Sequence, residues 1–132
     1  MISRDADYAV RLVLDLVVHG PGTRRHIAAR QQIPVGVLPR LTQALRRSGI
    51  VQARPGRGGG LSLRLSPEKV SLLDVVAALD GALPLNRCLL EPSGCDRVRF
   101  CLVHPHWRAV QDRLLADLGS ISLAAMAERR SP

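Results

Sequence analysis

The sequence predicts a mainly α-helical fold that contains one small β-hairpin and ends in a long helix. Apolar residues recur every three or four positions in several separate segments, which is the period of an amphipathic helix. Two short strand-like segments flank a glycine-rich stretch, which is typical of a hairpin. The chain has 132 residues, enough for one domain with its own hydrophobic core.

The first part of the chain predicts three helices in succession. The first covers residues 3–19, with Ser3 as its N-cap, and a glycine–proline turn ends it. Thr23 caps a short second helix. The third helix runs from about Val35 to Ser48, but Pro39 lies inside it and lacks an N–H. We therefore expect this helix to start late or to be kinked.

A hairpin and a fourth helix follow. Strands are predicted at 50–54 and 61–65, and the glycine-rich stretch 54–60, with the sequence RPGRGGG, forms a flexible basic tip between them. The fourth helix is predicted from Leu72 to about Leu79. Helix, short helix, longer helix and hairpin is the order of a winged helix-turn-helix, which we expect to occupy residues 1–80.

The rest of the chain divides into an irregular stretch and a long helix. Residues 81–103 have no periodicity and contain all three cysteines; irregular loops of this length are uncommon in small domains and are usually functional. From Pro105 an apolar stripe continues to Met126, which predicts one long helix within residues 104–132. Such a helix favours pairing with a second copy of the chain, and packing back onto its own domain is the alternative.

Charge and composition indicate the class of partner. Nineteen Lys and Arg against eleven Asp and Glu give a net charge of +8, which favours a polyanion. Aromatic residues make up only 2% of the chain, too few to stack on single-stranded bases, so double-stranded DNA is favoured. No apolar stretch is long enough to span a membrane, and the N-terminus is unlike a secretory signal. We therefore expect a cytoplasmic protein with reduced thiols.

The third helix is the predicted reader of the major groove. An arginine fork pairs with guanine and a glutamine with adenine, so Arg40 and Gln43 are the expected base contacts. Thr42 and Arg46 are expected to contact phosphates from the same exposed face.

Two further segments are expected to contact the duplex. Arg24 and Arg25 begin the second helix, where backbone N–H groups also favour a phosphate. At the wing tip, Arg57 is suited to the narrow minor groove, and Gly58 and Gly59 permit a close backbone approach. The bland alternative is a solvated basic face and an ordinary turn.

The cysteines predict a metal centre in the irregular stretch. Cys88, Cys95 and Cys101 have the spacing C-x6-C-x5-C, and His104 follows as C-x2-H. Thiolates hold zinc or an iron–sulfur cluster, and these gaps are wide for structural zinc, which favours a cluster of the 2Fe–2S or 4Fe–4S type. Three thiolates leave a fourth position to His104 or to Asp7 of the partner subunit. Small buried cysteines without a ligand are the alternative.

Two classes of function follow from these patterns. The first is a DNA-binding transcriptional regulator, expected to be a repressor, whose operator affinity depends on a cluster that senses nitric oxide, redox state or iron. The second is a cluster-binding redox module that docks an acidic protein partner without binding DNA. An enzyme is not expected, because the chain has no zinc-protease motif or nucleophile elbow.

The sequence resembles the Rrf2 family of bacterial winged-helix regulators, which includes iron–sulfur, nitric-oxide and iron sensors. The resemblance lies in DYAVRLVLDL, the reader segment IPVGVLPRLTQALRRSGIV, the wing RPGRGGG and the cysteine–histidine pattern. It implies a homodimer that crosses its C-terminal helices, with a cluster on the three cysteines. Asp7 and His104 match fourth-ligand positions of different subfamilies. Pro39 replaces a reader residue that is usually polar, so the sequence preference for DNA is not transferred.

Overall fold

A computed structural model of the chain describes residues 1–56, 59–91 and 95–128. Within those ranges the fold consists of helices, one small sheet and two short 3-10 turns. The helices are α1 (Arg4–His19), α2 (Arg24–Gln31), α3 (Leu38–Arg47), α4 (Leu72–Asp80), α5 (Arg87–Leu90), α6 (His104–Ser120) and α7 (Leu123–Glu128). The strands are β1 (Gly22–Thr23), β2 (Val51–Arg54) and β3 (Gly60–Leu63), and the 3-10 turns cover Val35–Val37 and Pro67–Lys69.

Side-chain caps begin several of the helices. The hydroxyl of Ser3 accepts the backbone N–H of Ala6 at the start of α1, and Thr23 caps α2 in the same way. Ser71 and Asp74 form a reciprocal capping box at the start of α4. Each cap satisfies a backbone donor that has no partner within the helix. The predicted caps Ser3 and Thr23 are confirmed.

Proline determines where α3 begins. The 3-10 turn Val35–Val37 precedes the helix, and Pro39 is the second residue of α3. A missing N–H costs nothing there, because the first N–H groups of a helix have no intrahelical acceptor. The expected late start of this helix is confirmed.

The sheet has three antiparallel strands in the order β1-β3-β2. β2 and β3 form the predicted hairpin, and Val51 pairs with Leu63 at its base. The short strand β1 adds a third partner that the sequence analysis did not predict, with Thr23 opposite Gly60. This pairing fixes the start of α2 beside the wing.

The hydrophobic core lies between α1, α2, α3, α4, the sheet and α7. It contains buried leucines, valines, isoleucines and alanines from all of these elements. Its largest fully buried apolar members are Leu12, Ile27, Leu41, Leu45, Leu61 and Leu123.

One ion pair with a buried carboxylate joins α1 to α2. The carboxylate of Asp15 accepts bonds from Arg30 at 2.7 and 2.9 Å and from the side-chain amide of Gln31 at 2.9 Å. Burial alone would raise the pKa of Asp15, but the bonds from Arg30 and Gln31 outweigh it and lower this pKa. A buried carboxylate is tolerated here because its oxygens have these partners.

The C-terminal segment differs from its prediction. Instead of one continuous helix to Met126, α6 ends at Ser120 and Ile121 is extended. The carbonyl of Ile121 accepts the N–H of Leu72, and the N–H of Leu123 donates to the carbonyl of Val70. The break places Leu123 in the core, where its side chain is fully buried. The prediction of a single helix was wrong because burial of α7 against α1 outweighs the continuous apolar period. None of the described helices is long and apolar enough to cross a bilayer.

Candidate nucleic-acid interface and cysteine cavity

A basic cleft of about 680 Å³ separates the start of α2 from α3 and the wing. Its floor includes the apolar side chains of Val35 and Leu38, and its walls are polar and cationic. The polar residues lining it are Thr23, Arg24, Arg25, His26, Thr42, Gln43 and Arg46. The cleft, which Gly59 also lines, therefore brings together six residues that the sequence analysis named as DNA contacts, together with His26, which it did not name.

The start of α2 is held against the wing by the sheet. Because Thr23 pairs with Gly60, Arg24 lies beside the last glycines of the wing. A Cβ placed on Gly59 would lie 3.9 Å from Nη1 of Arg24, which is an ordinary contact distance, so this guanidinium lies against the wing backbone. Gly59 also lines the cleft, whereas Arg57 and Gly58 lie outside the described residues. The cationic start of α2 and the wing thus form one continuous surface.

Thr42 does not lie on the exposed face where it was expected. Only 3% of this residue is exposed, because it shares the inward face of α3 with Leu38, one turn earlier, and Leu45. Within the described part of the chain its Oγ1 has no hydrogen-bond partner. The prediction of its exposure was wrong, and a phosphate contact by Thr42 stays a prediction.

Arg40 lies on the exposed face of α3 but outside the cleft. Its guanidinium forms a two-bond ion pair with the carboxylate of Asp5 in the first turn of α1, at 2.5 and 3.0 Å. The hydrogen bond from Arg40 lowers the pKa of Asp5 and the same bond raises that of Arg40, so both groups are charged at neutral pH. The sequence analysis missed this pair because 35 positions separate its members.

The three cysteines line one cavity of about 300 Å³ at the start of α6. Cys88 lies in α5, and Cys95 and Cys101 lie on either side of a turn that precedes α6. All three are free thiols of intermediate exposure. Glu91 and Trp107 also line the cavity, and the sequence analysis did not name either as a site residue.

His104 is the first residue of α6 and is 9% exposed. Its Nδ1 lies 3.3 Å from the sulfur of Cys88, so these two residues of the predicted ligand set are in contact. Asp7 is on the exposed face of α1 instead, where it pairs with Arg11 at 3.0 Å. It does not line the cysteine cavity of its own chain.

The donor set fits an iron–sulfur cluster in its chemistry, since three thiols share one cavity and an imidazole contacts one of them. Across residues 1–56, 59–91 and 95–128, no three His, Cys, Asp or Glu side chains converge closely enough to hold a single metal ion.

One side chain of α6 binds the start of the irregular stretch 81–103, which contains the cysteines and is called the cysteine segment below. Gln111 is 8% exposed, and its Oε1 accepts the backbone N–H of Leu85 at 2.8 Å while its Nε2 donates to the carbonyl of Leu83. An amide can satisfy one donor and one acceptor at the same time, which suits it to holding extended backbone. The sequence analysis did not find this residue, because an isolated glutamine in a helix carries no local signal.

Comparisons with known proteins agree on one family. Residues 2–129 match the family Rrf2, described as an iron-dependent transcriptional regulator. The HTH-type transcriptional regulator IscR of Xenorhabdus nematophila is 33% identical over 126 residues, covering 93% of this chain and 76% of that protein. The IscR of Escherichia coli is 32% identical over the same length, with 93% and 77% covered.

Solved structures have the same fold. The structure of IscR from T. potens aligns with a TM-score of 0.77 at 26% identity, covering 100% of this chain and 93% of that one. The global cysteine regulator CymR of B. subtilis aligns with a TM-score of 0.81 at 22% identity over 99% and 98% of the chains. These relatives are transcriptional regulators rather than enzymes. The chain belongs to the Rrf2 family of winged helix-turn-helix transcriptional regulators.

Proposed function

We propose that this chain is a homodimeric repressor whose affinity for a double-stranded operator is set by an iron–sulfur cluster. Cys88, Cys95 and Cys101 would hold the cluster, and its fourth ligand would be His104 or Asp7 of the partner subunit. The signal would be nitric oxide, redox state or iron. The observation that carries the proposal is the single cavity lined by all three cysteines.

DNA binding is supported by the basic cleft and by charge. α3 presents exposed Gln43 and Arg46 beside Arg24 and Arg25, so a duplex against α3 would meet cations from two helices. Arg40, Arg57, Gly58 and Gly59 would extend the contact to the rest of the reader helix and the wing. With a net charge of +8, affinity should fall steeply with salt because phosphate contacts release counterions.

A homodimer is supported by the exposed apolar side chains of α6 and the turn before it. The helix has 17 residues, and only His104 and Gln111 are buried within the chain. Phe100 and Leu102 are 83% and 91% exposed, and Trp107 is also exposed. Apolar residues exposed to this extent usually mark an interaction surface. Pairing with a second α6 would cover them, and a fourth ligand from Asp7 of the partner subunit requires that this pairing bring the partner's α1 to the cavity.

The position of the cavity suits an anionic group. It lies at the start of the 17-residue helix α6, whose N-terminal N–H groups favour negative charge. When bound, a cluster with three cysteine ligands and one weaker ligand supplies an iron that nitric oxide or oxygen can attack. The three cysteines would hold it, with the imidazole of His104 against Cys88 and Trp107 along one wall of the cavity.

A change in the conformation of the cysteine segment can be transmitted to the DNA-binding surface through helices that pack against each other. The cysteine segment begins directly after α4, and α4 packs against both α1 and α3. A change in the segment that shifts α4 would therefore also shift the reader helix α3. We expect cluster loss to change operator affinity several-fold.

An anaerobic visible and electron paramagnetic resonance spectrum of freshly purified protein tests the cluster. We expect a brown protein whose spectrum changes on titration with nitric oxide or on oxidation. The Cys95→Ala variant should be colourless, and Glu68→Gln, an exposed change outside both sites, should keep the spectrum. A colourless wild-type protein with stoichiometric zinc would overturn the cluster.

Mobility-shift titrations test the coupling. Wild-type protein and Cys95→Ala should differ several-fold in affinity for a duplex selected by the wild-type protein. Equal affinities would contradict control by the cluster, while the absence of any duplex binding at low salt would contradict the DNA-binding function itself.

A further inference from the structure

The ion pair between Asp5 and Arg40 uses one specific edge of the arginine. Asp5 accepts from Nε at 2.5 Å and from Nη2 at 3.0 Å, which is the side edge of the guanidinium. Within the residues that the structure describes, Nη1 of Arg40 has no hydrogen-bond partner. A guanidinium has five N–H groups, so the end edge formed by Nη1 and Nη2 still has donors to offer.

The unused edge has the geometry that guanine requires. Bidentate donation from an arginine fork to O6 and N7 of guanine is the commonest specific contact in the major groove. Arg40 lies on the exposed face of the reader helix, one turn before Gln43, and its side chain is 58% exposed. The carboxylate therefore occupies the edge that a guanine would leave unused.

Asp5 itself has a fixed position. It lies in the first turn of α1, whose cap Ser3 accepts the N–H of Ala6. The backbone N–H and the hydroxyl of Ser3 both donate to the carboxylate of Asp80 at the end of α4. The side chain of Asp5 is only 31% exposed, so a smaller fraction of it is in contact with solvent than of the Arg40 side chain. The turn is thus tied to α4 independently of its bond to Arg40.

We propose that Asp5 is a positioning residue for base readout, which holds the Arg40 guanidinium side-on and presents its end edge to a guanine. The inference rests on the proposed DNA-binding function and names a specificity determinant within it. A long arginine side chain otherwise loses rotamer freedom when it binds a base. An arginine already held in place loses less, so the guanine contact becomes more selective.

The competing account is that Asp5 and Arg40 form a surface ion pair with no role in base readout. Exposed pairs contribute little to stability, and a carboxylate near the duplex repels phosphates. The two accounts differ in the base preference that they predict for Asp5→Asn. If Asp5 acts only through its charge, the variant binds all duplexes more tightly with an unchanged base preference. If Asp5 positions Arg40, the preference for guanine at one operator position falls even where overall affinity rises.

The experiment is a binding-site selection from a randomised duplex library with the full-length, anaerobically purified protein. Wild type, Arg40→Lys, Asp5→Asn and Asp5→Glu are compared, with Glu68→Gln as a control of equal charge change on an exposed residue. Arg40→Lys should lose the preference for guanine at one position, because lysine has no fork. Asp5→Asn should weaken the same preference about two- to tenfold. Asp5→Glu should retain part of it, and Glu68→Gln should leave it unchanged.

Different results distinguish a failure of the proposed function from a failure of the inference about Asp5. If the wild-type protein selects no sequence and binds no duplex, the proposed function fails. If it selects a motif that Arg40→Lys leaves intact, Arg40 is not a reader and the inference is overturned. The inference is also overturned if Arg40→Lys removes a guanine that Asp5→Asn retains in full. Thermal melts of the variants check that each one folds.

Discussion

Gln111 offers a direct test of how the cysteine segment is held, through the change Gln111→Leu. The substitution preserves volume but removes the acceptor for the Leu85 N–H and the donor to the Leu83 carbonyl. Each hydrogen bond contributes about 0.5–1.5 kcal/mol net, so losing two costs roughly 1–3 kcal/mol of local stability. That free energy corresponds to a change of about five- to 150-fold in the opening equilibrium of the segment.

Native-state hydrogen exchange measures this opening at the Leu85 amide. We expect exchange there to accelerate by about five- to 150-fold in Gln111→Leu, while amides of the core helix α1 keep their rates. Gln111→Glu is the matched control, because it retains an acceptor for Leu85 and loses only the donor to Leu83. Its exchange rate should be intermediate. Equal protection of Leu85 in wild type and Gln111→Leu would refute the role of this side chain.

Three further predictions concern stability. The pKa of Asp15 is lowered in the folded state, so ionised Asp15 stabilises the fold fully above about pH 4 and loses this effect as the pH falls through its folded pKa. The free energy of unfolding in urea should therefore decline between pH 7 and pH 3, and Asp15→Asn should make this decline smaller. Leu41→Ala should cost about 2–5 kcal/mol of unfolding free energy because Leu41 is fully buried, whereas Leu65→Ala, at a residue 44% exposed and outside both sites, should cost less. Gly81→Ala should lower the stability by about 1 kcal/mol, because φ is +69° at this position. The control is Gly36→Ala, where φ is not positive, and a melting temperature of Gly81→Ala no lower than that of this control would contradict the prediction.

Much of the architecture is predictable because it depends on local chemistry. Ser3 and Thr23 cap helices through bonds to residues three positions later, and an apolar stripe at helical period defines each buried face. The late start of α3 follows from the missing N–H of Pro39. The family resemblance rests on such contiguous segments, which is why the order of residues along the chain is enough to show it.

The sites are less predictable because their contacts cross the fold. The cysteine spacing identifies Cys88, Cys95 and Cys101 as a set, but their common cavity also contains Glu91 and Trp107. Charge and helix order identify the basic residues of α2 and α3. Neither pattern indicates His26 as a wall of the cleft or the inward face of Thr42.

The order of residues along the chain was enough to predict α1 to α4, the hairpin of β2 and β3, the caps Ser3 and Thr23, the basic character of the candidate DNA-binding surface and the grouping of the thiols. Tertiary structure alone decided that Arg40 meets Asp5, that Gln111 holds the backbone at Leu83 and Leu85, and that α7 returns to the core after Ser120. The physical reason is range. Caps and helical periods act over three or four residues and can be read along the chain. Ion pairs and buried side chains depend on which distant surfaces pack together, and that is settled by the burial of the whole core.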